Sequence, residues 1–282
     1  MGTLYLCATP IGNLEDITLR VLRVLEEVDL IAAEDTRNSI RLLDHYDIHT
    51  PMTSYHEHNK IKKGRALVEK LRQGMDIALI ADAGTPGISD PGEELVNMCY
   101  EQGIPVTALP GAAACVLGLT LSGLPTRDFV FEGFLPMDTK KRKNVLEGLI
   151  RETRTIVLYE APHRLRRTLG ELAQTLGGGR RAVLCRELTK RYESVVRSDL
   201  DGLLARTAEQ EPRGECVLVI QGKDRQELKM EEQAQWEALT LEEHMEQYEG
   251  QGYTRKEAMK QVARDRGLGK RDVYRLLLEK EE

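Results

Sequence analysis

Short apolar runs that break off at glycine and proline constrain this chain more than any other feature. Leu4-Tyr5-Leu6-Cys7 gives way to Ala8-Thr9-Pro10-Ile11-Gly12-Asn13-Leu14, and Ile77-Ala78-Leu79-Ile80 gives way to the segment Ala81 to Gly92, which holds Gly84, Pro86, Gly87 and Pro91. A third run, Val106-Thr107-Ala108-Leu109, meets Pro110-Gly111-Ala112-Ala113-Ala114. Apolar runs of this length bounded by such breakers read as buried strands, predicted here over 3–8, 29–33, 77–81 and 104–109. Between them, Leu19 to Glu26 and Gly64 to Leu71 carry apolar residues at i, i+3 and i+4, the helix period. Alternating strands and helices predict a mostly parallel sheet covered on both faces.

Glycine at a strand end lets a ligand reach bare backbone, and open α/β sheets bind ligands outside the carboxyl ends of their strands. The loops therefore predict a shared pocket, with tight sheet turns as the plainer alternative for any one of them. No G-x-x-x-x-G-K-[ST] is present, and no G-x-G-x-x-G opens a helix after a strand, which disfavours ATP and NAD.

A second α/β block follows, with strands predicted over 129–134, 155–159, 182–185 and 216–220. Arg164 to Thr175 reads as a helix ended by Gly177-Gly178-Gly179, and Pro162 as the stop of the strand before it. The expected division is 1–112, 113–225 and 226–282. After Gln221 the chain turns acidic and reads as a solvated helix or linker. Thr254-Arg255-Lys256-Glu257 then forms a capping box before a helix over 258–266, and Gly267-Leu268-Gly269 separates it from another over 270–279. This helix-turn-helix-like piece is basic, through Arg255, Lys256, Lys270 and Arg271 among others.

The net charge of −6 over 282 residues excludes a polycationic nucleic-acid binder, so RNA contact would need locally gathered cations. Aromatics make up only 5% of the chain, and no stacking sheet of the base-reading kind is visible. The five cysteines lack C-x-x-C spacing, which indicates neither zinc nor a disulfide framework. No apolar run nears the roughly 20 residues that span a bilayer, and no export signal is evident. The expectation is a cytoplasmic protein without a membrane partner.

Ala8 to Leu14, Ala33-Glu34-Asp35-Thr36-Arg37, Ser54-Tyr55-His56-Glu57-His58-Asn59, Ala81 to Gly92, Gly133-Phe134-Leu135-Pro136, Tyr159-Glu160-Ala161-Pro162-His163-Arg164 and Arg186-Glu187-Leu188-Thr189-Lys190 together resemble, in order, the ribosomal RNA small subunit methyltransferase I family. The resemblance runs over roughly residues 1–225. It implies an α/β protein with two domains of tetrapyrrole-methylase type, a cofactor cleft between them, and a small C-terminal helical region. It further implies S-adenosylmethionine-dependent 2′-O-ribose methylation of a decoding-centre cytidine in 16S ribosomal RNA of the small subunit, by a homodimer. The donor contacts it implies are Pro10, Ala83, Gly84, Thr85, Ile88, Ala113, Ala114, Glu160 and Leu188. The family's usual serine is replaced by Ala113, which removes one hydroxyl.

A ribose hydroxyl is a poor nucleophile until its proton leaves, so a base or an orienting group helps. Glu34, Asp35 and His56 are the catalytic candidates, while helix capping by Asp35 or Thr36 reads equally well. RNA contacts are expected from Arg37, His58, Asn59, Lys141, Arg142 and Arg164, and from Arg255, Lys256, Lys270 and Arg271 in the C-terminal helices; an ordinary exposed helix start for Lys140 to Lys143, and a dimer-capping or solvated tail for the C-terminal helices, are the plainer alternatives. Arg164 reads also as a structural partner of Glu160 or Glu187. His56-x-His58 has no third ligand at a recognised spacing, and no metal is expected. Two rival readings stand beside this one: a tetrapyrrole or other small-molecule methylase of the same fold, and a non-catalytic RNA-binding module.

Overall fold

In the computed structural model, which describes residues 1–209, 214–237 and 239–278, the first sheet has strands β1 (Leu4–Cys7), β2 (Leu30–Ala33), β3 (Met52–Ser54), β4 (Ile77–Ile80) and β5 (Val106–Leu109). Their order is β3-β2-β4-β1-β5, and every pairing is parallel. Helices α1 (Leu19–Glu27), α2 (Thr36–His45), α3 (Lys60–Arg72) and α4 (Gly92–Glu101) form the connections. Each residue of β2 and β4 is buried, which is why these strands read as unbroken apolar runs rather than alternating ones. One face packs Leu67, Leu71 and Leu95 over the sheet, and the other packs Val21, Leu25 and Leu43. Strand β3 escapes the hydrophobicity pattern because Met52-Thr53-Ser54 is a short, half-polar edge pairing only with β2.

The second sheet follows α5 (Ala114–Ser122). Its strands β6 (Phe129–Phe134), β7 (Thr155–Glu160), β8 (Arg181–Arg186), β9 (Ser194–Asp199) and β10 (Cys216–Ile220) lie in the order β6-β7-β10-β8-β9. Only β6 and β7 are parallel; the other pairings are antiparallel. Helices α6 (Thr139–Leu149), α7 (Pro162–Leu176) and α8 (Leu200–Glu209) accompany it. Pro162 does not stop β7, which ends at Glu160; it opens α7, where its fixed φ and missing N–H cost nothing. Gly118 of α5 lies so close to the sheet that a Cβ there would stand 2.8 Å from Val217 Cγ1. Ile11, Cys115, Leu119, Leu188 and Val217 share one buried cluster, so material from both halves forms a common core. Residues 1–150 and 154–221 make one compact unit.

Residues 151–153 and 222–282 make another. It contains α9 (Arg225–Glu237), α10 (Leu241–Gly250), α11 (Arg255–Asp265) and α12 (Lys270–Leu278) around Met245, Ala258, Val262 and Val273. The acidic stretch expected as a solvated helix or linker is therefore two helices, and α10 buries His244 and Met245. The Glu257 carboxylate accepts from the Thr254 N–H at 3.0 Å and its hydroxyl at 2.7 Å, tying down the start of α11. Gly267, at φ +64°, turns α11 into α12; the expected helix end at Glu279 lies outside the described residues. Among the described residues, no helix is long and apolar enough to cross a membrane.

Candidate active site

The three glycine-rich loops meet. Thr9 and Gly84 exchange backbone hydrogen bonds at 2.9 and 3.1 Å, and the Thr85 hydroxyl donates to the Ala112 carbonyl at 3.0 Å. Gly111 lies against Ala8, where an added Cβ would stand 2.5 Å from the Ala8 Cβ. Gly84 takes φ +80°, a conformation few side-chain-bearing residues adopt. Asp90 folds the β4 loop back by accepting from the Gly87 and Gly92 N–H groups.

These loops and the end of β7 enclose a cavity of about 430 Å³. Ala83, Gly84, Thr85 and Ile88 line it from the β4 loop, Ala113 and Ala114 from the start of α5, and Glu160 from β7. Pro10 and Leu188 do not line it. The bridge to Gly84 brings Ile11 to the wall instead of Pro10, and Leu188 turns into the core beside Ile11 and Val217. A flat nucleoside fits such a wall of small side chains and backbone, and the volume falls in the usual small-molecule range of roughly 300–1,000 Å³.

Of the three catalytic candidates, Glu34 alone lines the cavity. Its carboxylate accepts weakly from the Asp82 N–H at 3.4 Å, and Asp82 accepts from the Asp35 N–H at 3.1 Å. Partial burial first, then the negative charges of Asp82, Asp90 and Asp35, push the Glu34 carboxyl above the ordinary range. Asp35 caps α2 instead, accepting from the Arg37 N–H at 2.9 Å and pairing with its guanidinium at 2.7 Å. The Arg37 side chain holds its carboxyl down to about 2. His56 does not reach the cavity; its Nε2 lies 3.2 Å from the Asn59 side chain in the turn before α3.

Glu160 is fully buried and pinned. It accepts from the Thr168 hydroxyl at 2.5 Å and the Ala161 N–H at 2.8 Å, and pairs with Arg164 at 2.8 Å. Arg164 thus takes the structural partner that its position in the motif suggested. Arg142, expected on RNA, is corrected: it is 5% exposed, pairs with Glu171 at 2.5 Å and donates to Thr168 at 2.7 Å. In Lys140-Lys141-Arg142-Lys143 the helix period turns this one cation inward while its neighbours face solvent. Asn59 is half-buried and accepts from the His56 N–H at 2.9 Å. Arg37, His58, Lys141, Arg255, Lys256, Lys270 and Arg271 are exposed.

Residues that motif reading passed over also line the cavity, notably Asp82, Phe134, Tyr159 and Cys216. Asp82 and Tyr159 sit directly beside Ala83 and Glu160, at the ends of β4 and β7, and this adjacency is the signal that the sequence offers. Burial pushes the Cys216 thiol up to about 12, and all five cysteines are buried and free.

Fold and cavity together define a methyltransferase of the tetrapyrrole-methylase class, and the family of Tetrapyrrole (Corrin/Porphyrin) Methylases matches residues 3–204. Solved structures with this fold include diphthine synthase (TM-score 0.64, 15% identity, 79% of this chain and 90% of that one). Another is a uroporphyrin-III C-methyltransferase from Thermus thermophilus complexed with S-adenyl homocysteine (TM-score 0.55, 20% identity, 78% and 97%). Much nearer in sequence is the ribosomal RNA small subunit methyltransferase I of Halalkalibacterium halodurans, 49% identical over 98% of this chain and 94% of that protein. Its Bacillus subtilis counterpart is 47% identical over 97% and 93%. The chain belongs to the ribosomal RNA small subunit methyltransferase I family.

Proposed function

We propose that this chain methylates the 2′-oxygen of a decoding-centre cytidine, position 1402 of 16S ribosomal RNA, with S-adenosylmethionine as donor. It acts on the small ribosomal subunit, in the cytoplasm and as a homodimer. The observation that carries the reading is the cavity at the strand ends, walled by Ala83, Gly84, Ala113 and Ala114, in a chain so close to the named relatives. When bound, the donor supplies a methyl group activated by a positively charged sulfur. Ala83, Gly84, Thr85, Ile88, Ala113 and Ala114 hold it, with Glu160 from the second half; segments 1–112 and 113–225 each give one wall.

Glu34 is the group placed to take the proton of the ribose hydroxyl. A carboxylate whose proton affinity is raised by burial and like charge is a better base than an exposed one. Orientation is the larger part of the work, because fixing two reactants in line removes about 7–11 kcal/mol of barrier in ideal cases. Lys141 and Arg37 on the methylase unit and, separately, the exposed cations of α11 and α12 on the C-terminal unit supply the gathered positive charge that an acidic chain needs for RNA.

The test has two stages. Calorimetric titration with S-adenosylmethionine is expected to show one site per chain. Incubation of labelled donor with purified small subunits is expected to place label on a cytidine ribose, read by mapping of 2′-O-methyl positions. Label passing to a corrinoid precursor and not to subunits would overturn the RNA assignment and leave the fold class standing.

A further inference from the structure

Phe134 closes β6 in an unusual way. The pairing of β6 with β7 shifts register between Phe131 and Gly133, and Gly133 takes φ +61°. A Cβ at Gly133 would stand 2.8 Å from the Ser89 hydroxyl, so the strand end is pressed against the β4 loop. A bulge of this kind re-aims the side chain that follows it. Gly133 and Leu135 are buried, whereas Phe134 is 49% exposed and sits on the cavity wall.

The ring is held from behind. Tyr159 lies 5.5 Å away at 60°, itself in edge contact with Phe131, and its hydroxyl accepts from the Cys115 N–H at 3.0 Å. The Arg164 guanidinium carbon stands over the ring at 5.8 Å, a cation–π distance. Arg164 is fixed in turn by Glu160 at 2.8 Å and donates to the Met137 sulfur at 2.6 Å. Its buried Nε–H meets no acceptor among the described residues. An anchored aromatic ring, half open to solvent and backed by a cation, suits an unstacked nucleobase, since single-stranded RNA bases splay onto aromatic faces and arginine planes. The bare, side-chain-poor wall of the same cavity, around Gly84, Ala113 and Ala114, lies on other elements and suits the donor.

We infer that Phe134 is the stacking platform for the target base, positioning its ribose at the cavity mouth. This deepens the RNA reading above and rests on it. The experiment compares the full chain with Phe134→Ala, Phe134→Leu and Phe134→Tyr, using labelled S-adenosylmethionine and purified small subunits, with donor affinity read by calorimetry. Losing one stacked base should raise KM for subunits by about 5- to 150-fold in Phe134→Ala. Phe134→Leu, apolar but without a π-face, should behave alike, and Phe134→Tyr should recover nearly the wild-type value. Donor affinity should stay within about twofold throughout. Wild-type labelling with an unchanged KM in Phe134→Ala would overturn the platform alone. A matching loss of donor affinity would assign the ring to the donor nucleoside and also overturn it. Wild-type protein that leaves subunits unlabelled would remove the RNA reading and the platform with it.

Discussion

Glu34 and Glu160 face the same cavity from opposite sheets, and they are built for different work. Glu34 ends a strand of the parallel sheet, half-buried, with Asp82, Asp90 and Asp35 as its charged neighbours and one long hydrogen bond from backbone. Glu160 ends a strand of the mixed sheet, fully buried, with Arg164, Thr168 and the Ala161 N–H all committed to it. Behind Thr168 stands the buried Arg142, paired with the half-buried Glu171, which extends the network away from the cavity. A carboxylate without a cation is free to exchange a proton; one tied to a cation, a hydroxyl and a backbone N–H holds a shape. The difference is set by what each sheet edge places nearby rather than by the residue type.

Substitution at the two sites should break or sharpen this contrast. The largest effect is expected for Glu34→Gln, which keeps the size and removes the base. Methyl transfer to small subunits should fall by about 10²- to 10⁴-fold in kcat, with donor affinity unchanged by calorimetry and thermal stability nearly so. An undiminished rate would remove Glu34 from the chemistry. Glu160→Ala should act first on stability. Leaving Arg164 without its buried partner should cost about 3–5 kcal/mol in urea unfolding, with Arg142→Ala smaller at about 1–3 kcal/mol, because Glu171 is half-buried and keeps Arg167, and the exposed Lys141→Ala within about 0.5 kcal/mol. Equal unfolding midpoints for Arg142→Ala and Lys141→Ala would contradict the inward placement of Arg142.

Tyr159→Phe is a smaller perturbation. It deprives the Cys115 N–H of its acceptor and should cost about 1–3 kcal/mol of stability, measured in the same urea titration. The smallest effect is the pH dependence of stability at Glu34. Its folded carboxyl holds a proton more tightly than the unfolded one, so the folded state binds more protons between the two values. Stability from this group therefore rises as pH falls through the raised value, and is lost again as pH increases. Wild type minus Glu34→Gln, followed by melting temperature from pH 7 downward, should show that sign. The rate should show the opposite limb, falling as the same carboxyl is protonated.

Much of this was legible beforehand, and the failures share a cause. Strands β2 and β4 announced themselves because both faces are covered and every position is apolar. Strands β3 and β9 did not, because these two edge strands keep polar residues such as Thr53 and Arg197 and lack the apolar run that the edge strands β5 and β6 retain. Glu34, Asp35 and His56 were indistinguishable as polar residues near strand ends. Capping of α2 takes Asp35, and the turn before α3 takes His56, so the selection depends on where each side chain points. Arg142 failed for the same reason, one position in a run of four cations. Phe134 stood in a recognised segment, yet its exposure follows from a bulge that no composition reveals.

Local chemistry in the amino-acid order was enough to determine the buried strands, the glycine bends that follow them and the family to which they belong. Those properties depend on neighbours a few residues apart. Which acid is free, which is bound, which cation turns inward and which aromatic ring meets the cavity were decided only when residues 34, 82, 134, 160 and 164 came together in space. Burial and charge pairing act through distance, and distance between such positions exists only in the folded chain.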